Sequence, residues 1–365
     1  MIYLDNGATS FRKPAAVKQA VLQAMERCAN PGRGGYNASM QAAKTVLNTR
    51  EAAASMFGCM PEQVVFTTSC THGLNTAIRT LVKPGARVAI SGFEHNAVTR
   101  PLRALGADAV VAGRQLFDWD DTLSQFETAL RSGAEVAVFT HVSNAFGYIL
   151  PIEHMSALCR QYGVPFIVDA AQSAGSLPLS LEKLGANFIA MPGHKGLLGP
   201  QGTGILLCSD GAEPLLYGGT GSASRLQEMP DFLPDRLEAG TLNVPGIAGL
   251  GAGIRYVQSV GELNILRREQ FQVKRCVKLL QDARMRVFSG THQAATVSFV
   301  PPMDCEEYAA RLAQKGIAVR AGLHCAPLAH ESAGTLETGT VRISFGHDAC
   351  DRDIQQLRLA ITGKL

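Results

Sequence analysis

Two charged residues come shortly after predicted strands, in positions where they could bind a ligand or react with it. Lys195 follows the apolar run 188–191 and sits between His194 and Gly196, a poor setting for a solvated surface lysine. Lysines desolvated in clefts are those that form Schiff bases with carbonyl compounds. Asp169 ends the apolar run 165–168, where an unpaired carboxylate is costly, so it must meet a cation or a strong donor. A helix cap or a protonated heterocyclic nitrogen would serve equally well.

Other polar clusters also follow predicted strands. The segment 69–75 opens a helix, and the free N–H groups of a helix N-terminus suit a phosphate. An ordinary cap formed by Ser69 or Thr71 explains this segment equally well. His95 and Asn144 follow two more of the runs. Because ligands of parallel sheets bind at the carboxyl ends of the strands, both are candidates, although a lone histidine is most often structural.

A cysteine and two arginines form a separate cluster near the end of the chain. Cys325 lies beside His324 on a loop bounded by glycine and proline, a setting that favours an accessible thiolate. Arg320 begins this loop, and Arg342 lies in a later apolar strand, where a guanidinium should clamp a carboxylate bidentately. A zinc site formed by His324, Cys325 and His330 is the alternative. It lacks a second cysteine pair and a matching histidine spacing, so we predict no metal.

Together these clusters supply a phosphate cradle, a carboxylate for a ring nitrogen, a Schiff-base lysine, a carboxylate clamp and a thiol. That combination is typical of pyridoxal 5′-phosphate chemistry on an amino acid. A dinucleotide-dependent dehydrogenase is the alternative, suggested by the glycines of segment 249–253. This segment neither follows a predicted strand nor completes GxGxxG, and no GxxxxGK(S/T) phosphate loop occurs.

The composition excludes several classes of protein. The chain has 365 residues, 46% hydrophobic and 18% charged, which is enough apolar material for a large core and excludes a disordered chain. A formal net charge of +3 gives no electrostatic footprint for nucleic acid, and no apolar window approaches the length of a membrane span. The start of the chain lacks a secretory pattern, and nine cysteines without CxxC spacing are typical of a reducing compartment. We therefore predict a cytoplasmic protein.

Short β-rich runs alternate with helical stretches from about residue 61 to residue 208, and they are the elements that position these clusters. The alternation predicts an α/β domain with a mostly parallel seven-stranded sheet and helices near 122–130 and 152–162. The predicted strands are 64–67, 87–90, 109–111, 135–139, 165–168, 188–190 and 204–207.

A smaller α+β domain is predicted for the C-terminal part of the chain. It follows a glycine- and proline-rich zone at 218–253 and begins with a long amphipathic helix near 263–283. The N-terminal segment is expected to join it. We predict a large domain over residues 15–250 and a small domain made of residues 1–14 and 251–365.

Several motifs resemble the cysteine desulfurase and selenocysteine lyase group of the class V aminotransferase-fold enzymes. The resemblance covers nearly the whole chain, and its most specific motifs are HVSN at 141–144, DAAQ at 169–172, GHK at 193–195, LEAGT at 237–241 and RAGLHC at 320–325. It implies the type I fold of pyridoxal-phosphate-dependent transferases. In that fold the large domain binds the cofactor and the small α+β domain carries the cysteine loop.

The resemblance also implies a role for each site residue. Lys195 would hold pyridoxal 5′-phosphate covalently and act in catalysis, and Asp169 would keep the ring nitrogen protonated. Arg342 would bind the substrate carboxylate, with Arg320 and Asn144 nearby. The remaining cofactor contacts would be Gln172 and Asn144 at the phenolic oxygen, a catalytic His95 stacked on the ring, Cys70, Thr71 and His194 at the phosphate, and Thr241 at the phosphate of a partner subunit.

Cys325 falls at the family's persulfide-forming cysteine, in a short loop similar to that of the type II, Suf-like branch. The resemblance therefore implies conversion of L-cysteine to L-alanine by a homodimer with shared active sites, which passes the sulfur to an acceptor protein. The alternatives are a selenocysteine lyase, another C–S lyase, an aminotransferase and a non-catalytic carrier. The chain departs from the family pattern at Pro192, where serine is frequent, at Tyr36, where type II enzymes usually have histidine, and at Arg12, where proline is frequent.

Overall fold

The computed structural model describes residues 1–32 and 34–363 of the chain. The strands are β1 Ile2–Tyr3, β2 Val64–Thr67, β3 Arg87–Ser91, β4 Asp108–Ala112, β5 Val136–Thr140, β6 Phe166–Asp169, β7 Phe188–Pro192, β8 Gly204–Cys208, β9 Arg286–Phe288, β10 Thr296–Val300, β11 Ile317–Ala318, β12 Arg320–Gly322 and β13 Thr340–Ser344. The helices are α1 Ala15–Arg27, α2 Asn37–Phe57, α3 Cys70–Leu81, α4 Asn96–Ala104, α5 Trp119–Arg131, α6 Ile152–Tyr162, α7 Leu181–Leu184, α8 Val244–Val260, α9 Glu262–Asp282, α10 Cys305–Gln314, α11 Pro327–Ala333 and α12 Asp351–Thr362.

The largest sheet has the strand order β2-β8-β7-β6-β5-β3-β4, and only β8 runs against the others. Its strands are apolar on both faces because a buried cluster lies on each side. In β5, Ala137 and Phe139 pack into one cluster, while Val136 and Val138 pack into the other. The predicted α/β fold with a mostly parallel seven-stranded sheet is therefore confirmed. The parallel arrangement places the carboxyl ends of neighbouring strands at one edge.

The C-terminal part of the chain forms a second, antiparallel sheet with the order β12-β13-β10-β9. The N-terminal segment joins this region, since β1 pairs in parallel with β11 and Leu4 is buried in the same cluster as Phe299 and Ile343. The division into 15–250 and the remainder stays a prediction, and its boundary falls inside α8. Arg33, Lys364 and Leu365 belong to the predicted domains but lie outside the described residues.

Helix α8 occupies the end of the glycine- and proline-rich zone, where the sequence pattern indicates no helix. Its glycines stand where neighbouring elements come close. An added Cβ atom would press on Val21 of α1 at Gly249, on Thr49 of α2 at Gly251, and on the Leu197 carbonyl oxygen at Gly253. The segment that resembles a dinucleotide motif is therefore a packing surface behind the loop that follows Lys195.

No helix among the described residues combines the length and the apolar character that crossing a bilayer requires.

Replacing Gly253 with Ala should lower the free energy of unfolding by about 1–3 kcal/mol, because the added methyl group would overlap backbone atoms of residues 197–199. Helix propensity alone predicts the opposite sign, since Ala is favoured over Gly by about 1 kcal/mol inside a helix. Urea unfolding measures the change. The control is Gly211→Ala, because Gly211 has open space around its Cβ position. A Gly253→Ala protein as stable as the parent would contradict the packing argument.

Candidate active site

One cavity lies at the carboxyl edge of the large sheet. Of the predicted site residues, it is lined by Cys70, Thr71, His95, Asn144, Asp169, Gln172, His194 and Lys195. Asp169 is the last residue of β6, and the others come from the segments that follow β2, β3, β5, β6 and β7. The structure therefore brings together side chains that are up to 125 positions apart in the sequence, from Cys70 to Lys195.

Asp169 and Lys195 are an acidic and a basic group that line this cavity together. Asp169 is 2% exposed, and its Oδ1 accepts hydrogen bonds from the Ala171 N–H at 2.8 Å and the Cys70 thiol at 3.5 Å. Desolvation lowers the pKa of Lys195, while the nearby charge of Asp169 opposes that shift. Desolvation also raises the pKa of Cys70 well above its usual value, so this thiol stays protonated and acts as a donor. Desolvation thus shifts Lys195 towards the neutral, nucleophilic form of its amine, and the neighbouring carboxylate opposes that shift.

The N-terminus of α3 forms one wall of the cavity. The Ser69 side chain caps the helix by accepting a hydrogen bond from the His72 N–H at 3.1 Å. The predicted ordinary cap is therefore present at Ser69. The N–H groups of Cys70 and Thr71 belong to the first turn and have no carbonyl partner within the helix. They leave a positive helix end available to an anionic ligand.

His95 caps the next helix, α4, with its own ring. Its Nδ1 accepts a hydrogen bond from the Ala97 N–H at 3.0 Å, so the neutral ring carries its hydrogen on Nε2. Desolvation lowers the pKa of His95, although Asp169 acts in the opposite direction. The cap therefore fixes both the tautomer and the orientation of a ring that lines the cavity.

The N-terminal segment holds two of the lining side chains in place. Gln172 donates from Nε2 to the Gly7 carbonyl at 2.9 Å, and His194 Nδ1 lies 3.0 Å from the Thr9 hydroxyl. Lys13 donates to the His194 carbonyl at 2.8 Å, and burial lowers the pKa of Lys13 to about 8. These bonds attach the turn that carries Lys195 to the N-terminal segment of the chain.

Thr241, Arg320, Arg342 and Cys325 do not line this cavity. Thr241 lines a separate, open pocket of about 630 Å³. Both arginines form ion pairs with Asp5. The carboxylate that Arg342 holds in this structure therefore belongs to the chain itself.

The loop of Cys325 is attached to the cavity on two sides. The Cys325 carbonyl accepts a hydrogen bond from the Asn96 N–H at 2.8 Å, next to His95, and the His324 carbonyl accepts one from Asn144 Nδ2 at 2.7 Å. His324 and Cys325 have φ angles of 51° and 56°, a left-handed conformation that non-glycine residues adopt only when their surroundings require it. Cys325 itself is exposed.

His324 and His330, the two histidines near Cys325, contact each other and neighbouring hydroxyl groups. Their rings lie 5.5 Å apart, and burial lowers the pKa of His324 to about 2 and that of His330 to about 4. His324 Nε2 lies 3.0 Å from the Thr340 hydroxyl. Among residues 1–32 and 34–363, no group of three or more His, Cys, Asp and Glu side chains is arranged to hold a metal ion.

Glu94 was not among the predicted site residues, although it precedes His95. Its side chain is buried, and it accepts hydrogen bonds from the Ser91 hydroxyl and from the Thr140 N–H, the latter at 2.9 Å to Oε1. It thereby joins the carboxyl ends of β3 and β5. An acidic residue between Phe93 and His95, shortly after the predicted strand 87–90, was the sequence signal that could have identified it.

A buried ion pair supports the LEAGT motif. Arg50 donates two hydrogen bonds to Glu238, at 2.9 and 2.8 Å, and its guanidinium lies 4.6 Å from the centre of the Phe66 ring. Glu238 Oε1 also accepts from the Phe66 N–H at 2.7 Å. The pair anchors the segment that carries Thr241 to β2. Sequence reasoning included Glu238 in the motif but did not identify Arg50 as its partner.

Comparison with known proteins identifies the family. The model of the aminotransferase class V family matches residues 2–357. A probable cysteine desulfurase of Methanothermobacter thermautotrophicus is 33% identical, over 98% of this chain and 92% of its own length. A probable cysteine desulfurase of Pyrococcus abyssi is 31% identical, over 94% of this chain and 89% of its own length.

A solved structure also matches the fold of this chain over its whole length. The apo structure of a cysteine desulfurase from Thermococcus onnurineus NA1 superimposes with a TM-score of 0.90 at 31% identity. The match covers 100% of this chain and 95% of that one.

Replacing Glu94 with Gln should reduce the loss of stability at alkaline pH. Burial raises the pKa of Glu94 to about 8, so its protonated form stabilises the fold at low pH, and this contribution is lost as the pH rises towards 8. The variant cannot ionise. Relative to the parent, its free energy of unfolding should therefore improve by up to about 1.4 kcal/mol per pH unit between pH 5 and 8.

Urea unfolding at several pH values measures this difference. Glu62→Gln is the control, because Glu62 is exposed. Parallel pH profiles of the parent and of Glu94→Gln would show that Glu94 does not bind its proton more tightly in the folded state.

Proposed function

This chain belongs to the aminotransferase class V family, and we propose on that basis that it is a cysteine desulfurase dependent on pyridoxal 5′-phosphate. It converts L-cysteine to L-alanine and keeps the sulfur as a persulfide on Cys325. The observation that carries the proposal is that a cavity and a thiol loop are attached to each other. The cavity contains a desolvated amine, a buried carboxylate and a helix N-terminus. The thiol loop is attached to that cavity through the N–H of Asn96.

The residues of the cavity match the functional groups of pyridoxal 5′-phosphate. Lys195 would bond to its aldehyde carbon, Asp169 would pair with its ring nitrogen, and the N–H groups of Cys70 and Thr71 would hold its phosphate. The buried Oδ1 of Asn144 has no hydrogen-bond partner among the described residues, which leaves an acceptor for a polar ligand in this cavity. When bound, the cofactor supplies an electron sink for the carbons of the amino acid.

The remaining cofactor contacts follow the same arrangement. His95 would stack on the ring, Gln172 and Asn144 would contact the phenolic oxygen, and His194 would add a phosphate contact. Pro192 ends β7 beside Gly204, and it has no side-chain donor to replace the serine that is frequent at this position. The backbone N–H groups of α3 would therefore provide a larger share of the phosphate binding.

Lys195 and Arg342 would prepare the substrate for the reaction. Arg342 is 2% exposed and binds the substrate carboxylate through its guanidinium, with Arg320 and Asn144 nearby. The amine of Lys195 accepts the proton of the α-carbon, a role that suits a lysine whose pKa is lowered by desolvation. The same amine can return that proton to a neighbouring carbon.

Cys325 would take the sulfur from the substrate. Its thiolate forms a bond to the substrate sulfur while the bond between that sulfur and the β-carbon breaks, and the β-carbon takes up a proton. L-cysteine and the Cys325 thiol thus give L-alanine and a persulfide, with no other oxidant or reductant. The exposed position of Cys325 leaves this persulfide open to an acceptor protein.

The pocket around Thr241 would be completed by a second copy of the chain. It lies outside the cavity of Lys195, and the exposed apolar side chain of Leu47 forms part of its wall. In a homodimer with shared active sites, Thr241 would reach the phosphate in the partner subunit. We place this dimer in the cytoplasm and assign the short Cys325 loop to the type II branch.

Incubation of the cofactor-loaded protein with L-cysteine should release L-alanine and add one sulfur atom to the peptide that contains Cys325. Lys195→Ala and Cys325→Ser should each lower alanine release at least about a hundredfold, because each removes a reacting group. Amino acid analysis and mass spectrometry of the peptide give the two readings.

Cys350→Ser is the matched control, because Cys350 is the other exposed cysteine, and it should keep the activity of the parent. Absence of alanine from the fully loaded parent protein would overturn the proposed function. A sulfur atom found on Cys350 rather than on Cys325 would overturn the assignment of the thiol.

A further inference from the structure

Asp5 lies between the two arginines that the family resemblance assigns to the substrate. Its Oδ1 accepts a hydrogen bond from Arg342 at 2.8 Å, and its Oδ2 accepts from Nε and Nη2 of Arg320 at 3.0 and 2.9 Å. Asp5 is 8% exposed, so its carboxylate is largely shielded from water. A charge-assisted network of this kind is stronger than a surface ion pair.

The two arginines differ in their surroundings. The Arg342 side chain is 3% exposed, whereas that of Arg320 is 50% exposed. Arg320 contacts Asp5 with two nitrogen atoms, and Arg342 contacts it with one. Arg320 therefore neutralises and holds the carboxylate, while Arg342 is the arginine whose orientation the carboxylate controls.

Arg342 keeps donors free in this arrangement. Its Nη2 donates to Asp5 and its Nη1 to the Asn144 carbonyl at 3.0 Å, while its buried Nε has no partner among the described residues. A guanidinium has five N–H donors, so two of them orient the group and the others remain for a ligand. The Asn144 contact links the oriented guanidinium to the cavity of Lys195.

The backbone of Asp5 is itself fixed. It forms a bridge with Ser344 of β13, and the Tyr3 hydroxyl donates to the Asp5 carbonyl at 3.1 Å. Asp5 thus approaches Arg342 from a neighbouring backbone segment, and its position does not depend on a flexible loop. Two guanidinium groups and one carboxylate leave a net charge of +1, which matches a single substrate carboxylate.

We propose that Asp5 is a positioning residue that orients Arg342 for the α-carboxylate of the amino acid substrate, with Arg320 holding Asp5 in place. This inference rests on the proposed function for the identity of the substrate. It assigns Arg320 a contact with Asp5 rather than with the substrate.

The test compares Asp5→Ala and Asp5→Asn with the cofactor-loaded parent. Asp5→Ala should raise the KM for L-cysteine about tenfold or more while kcat stays within about threefold, because binding of the carboxylate is weakened and the reacting groups are intact. The dissociation constant of L-alanine, measured from the change in cofactor absorbance, should rise by a similar factor. The dissociation constant of cysteamine, which lacks a carboxylate, should stay unchanged.

Asp5→Asn keeps an acceptor oxygen and should show a smaller increase in the same direction, which gives a result even if Asp5→Ala fails to fold. The control is Asp348→Ala, because Asp348 forms an exposed ion pair with Arg12 of the same N-terminal segment. It should leave both constants unchanged.

Unchanged or lowered values of KM and of the L-alanine constant in the Asp5 variants would overturn the inference. A lowered value would show that Asp5 competes with the substrate for Arg342. Equal weakening of cysteamine and L-alanine binding would also overturn it. Alanine release by the parent protein tests the proposed function separately, so the failure of one does not imply the failure of the other.

Discussion

The rest of this site depends on one constraint: the amine of Lys195 is removed from water close to the carboxylate of Asp169. Asp169 ends β6 and Lys195 lies three residues after the end of β7, and these two neighbouring parallel strands are buried along their whole length. Desolvation favours the neutral amine, and the carboxylate limits how far that shift can go. A solvent-exposed surface would remove this desolvation. The buried parallel sheet is therefore the condition for the chemistry as well as for the fold.

The sequence predicts the elements of the large sheet well because their residues respond to local rules. Each of the predicted apolar runs overlaps one of the strands β2 to β8, and α6 has the predicted bounds, Ile152–Tyr162. Helix α8 was missed because its glycines have poor helix propensity. Those glycines are explained by the elements packed against them, which local sequence rules do not describe.

The same distinction applies to the site. Asp169 could be identified because it directly follows an apolar run, and Lys195 because it comes four positions after one, where a charged residue needs an explanation. Arg342 was expected to clamp a carboxylate bidentately, whereas in the structure one of its nitrogens, Nη2, contacts Asp5, which lies 337 positions away in the sequence. Arg50 and Glu238 are likewise 188 positions apart. Pairings of this kind are set by tertiary packing. A single sequence can therefore indicate that a buried charge needs a partner, but it does not identify that partner.

The attachment of Cys325 to the cavity has a consequence for how this protein tolerates mutation. The hydrogen bond to the Cys325 carbonyl comes from the backbone N–H of Asn96, at the first position of α4, where helical bonding leaves that group free. Every amino acid except proline has this N–H. Most substitutions at residue 96 should therefore keep the hydrogen bond that holds the thiol loop next to the large sheet. The Asn96 side chain accepts a hydrogen bond from the Thr99 hydroxyl at 3.4 Å, so a substitution there can lose that contact while the attachment of the thiol loop is kept.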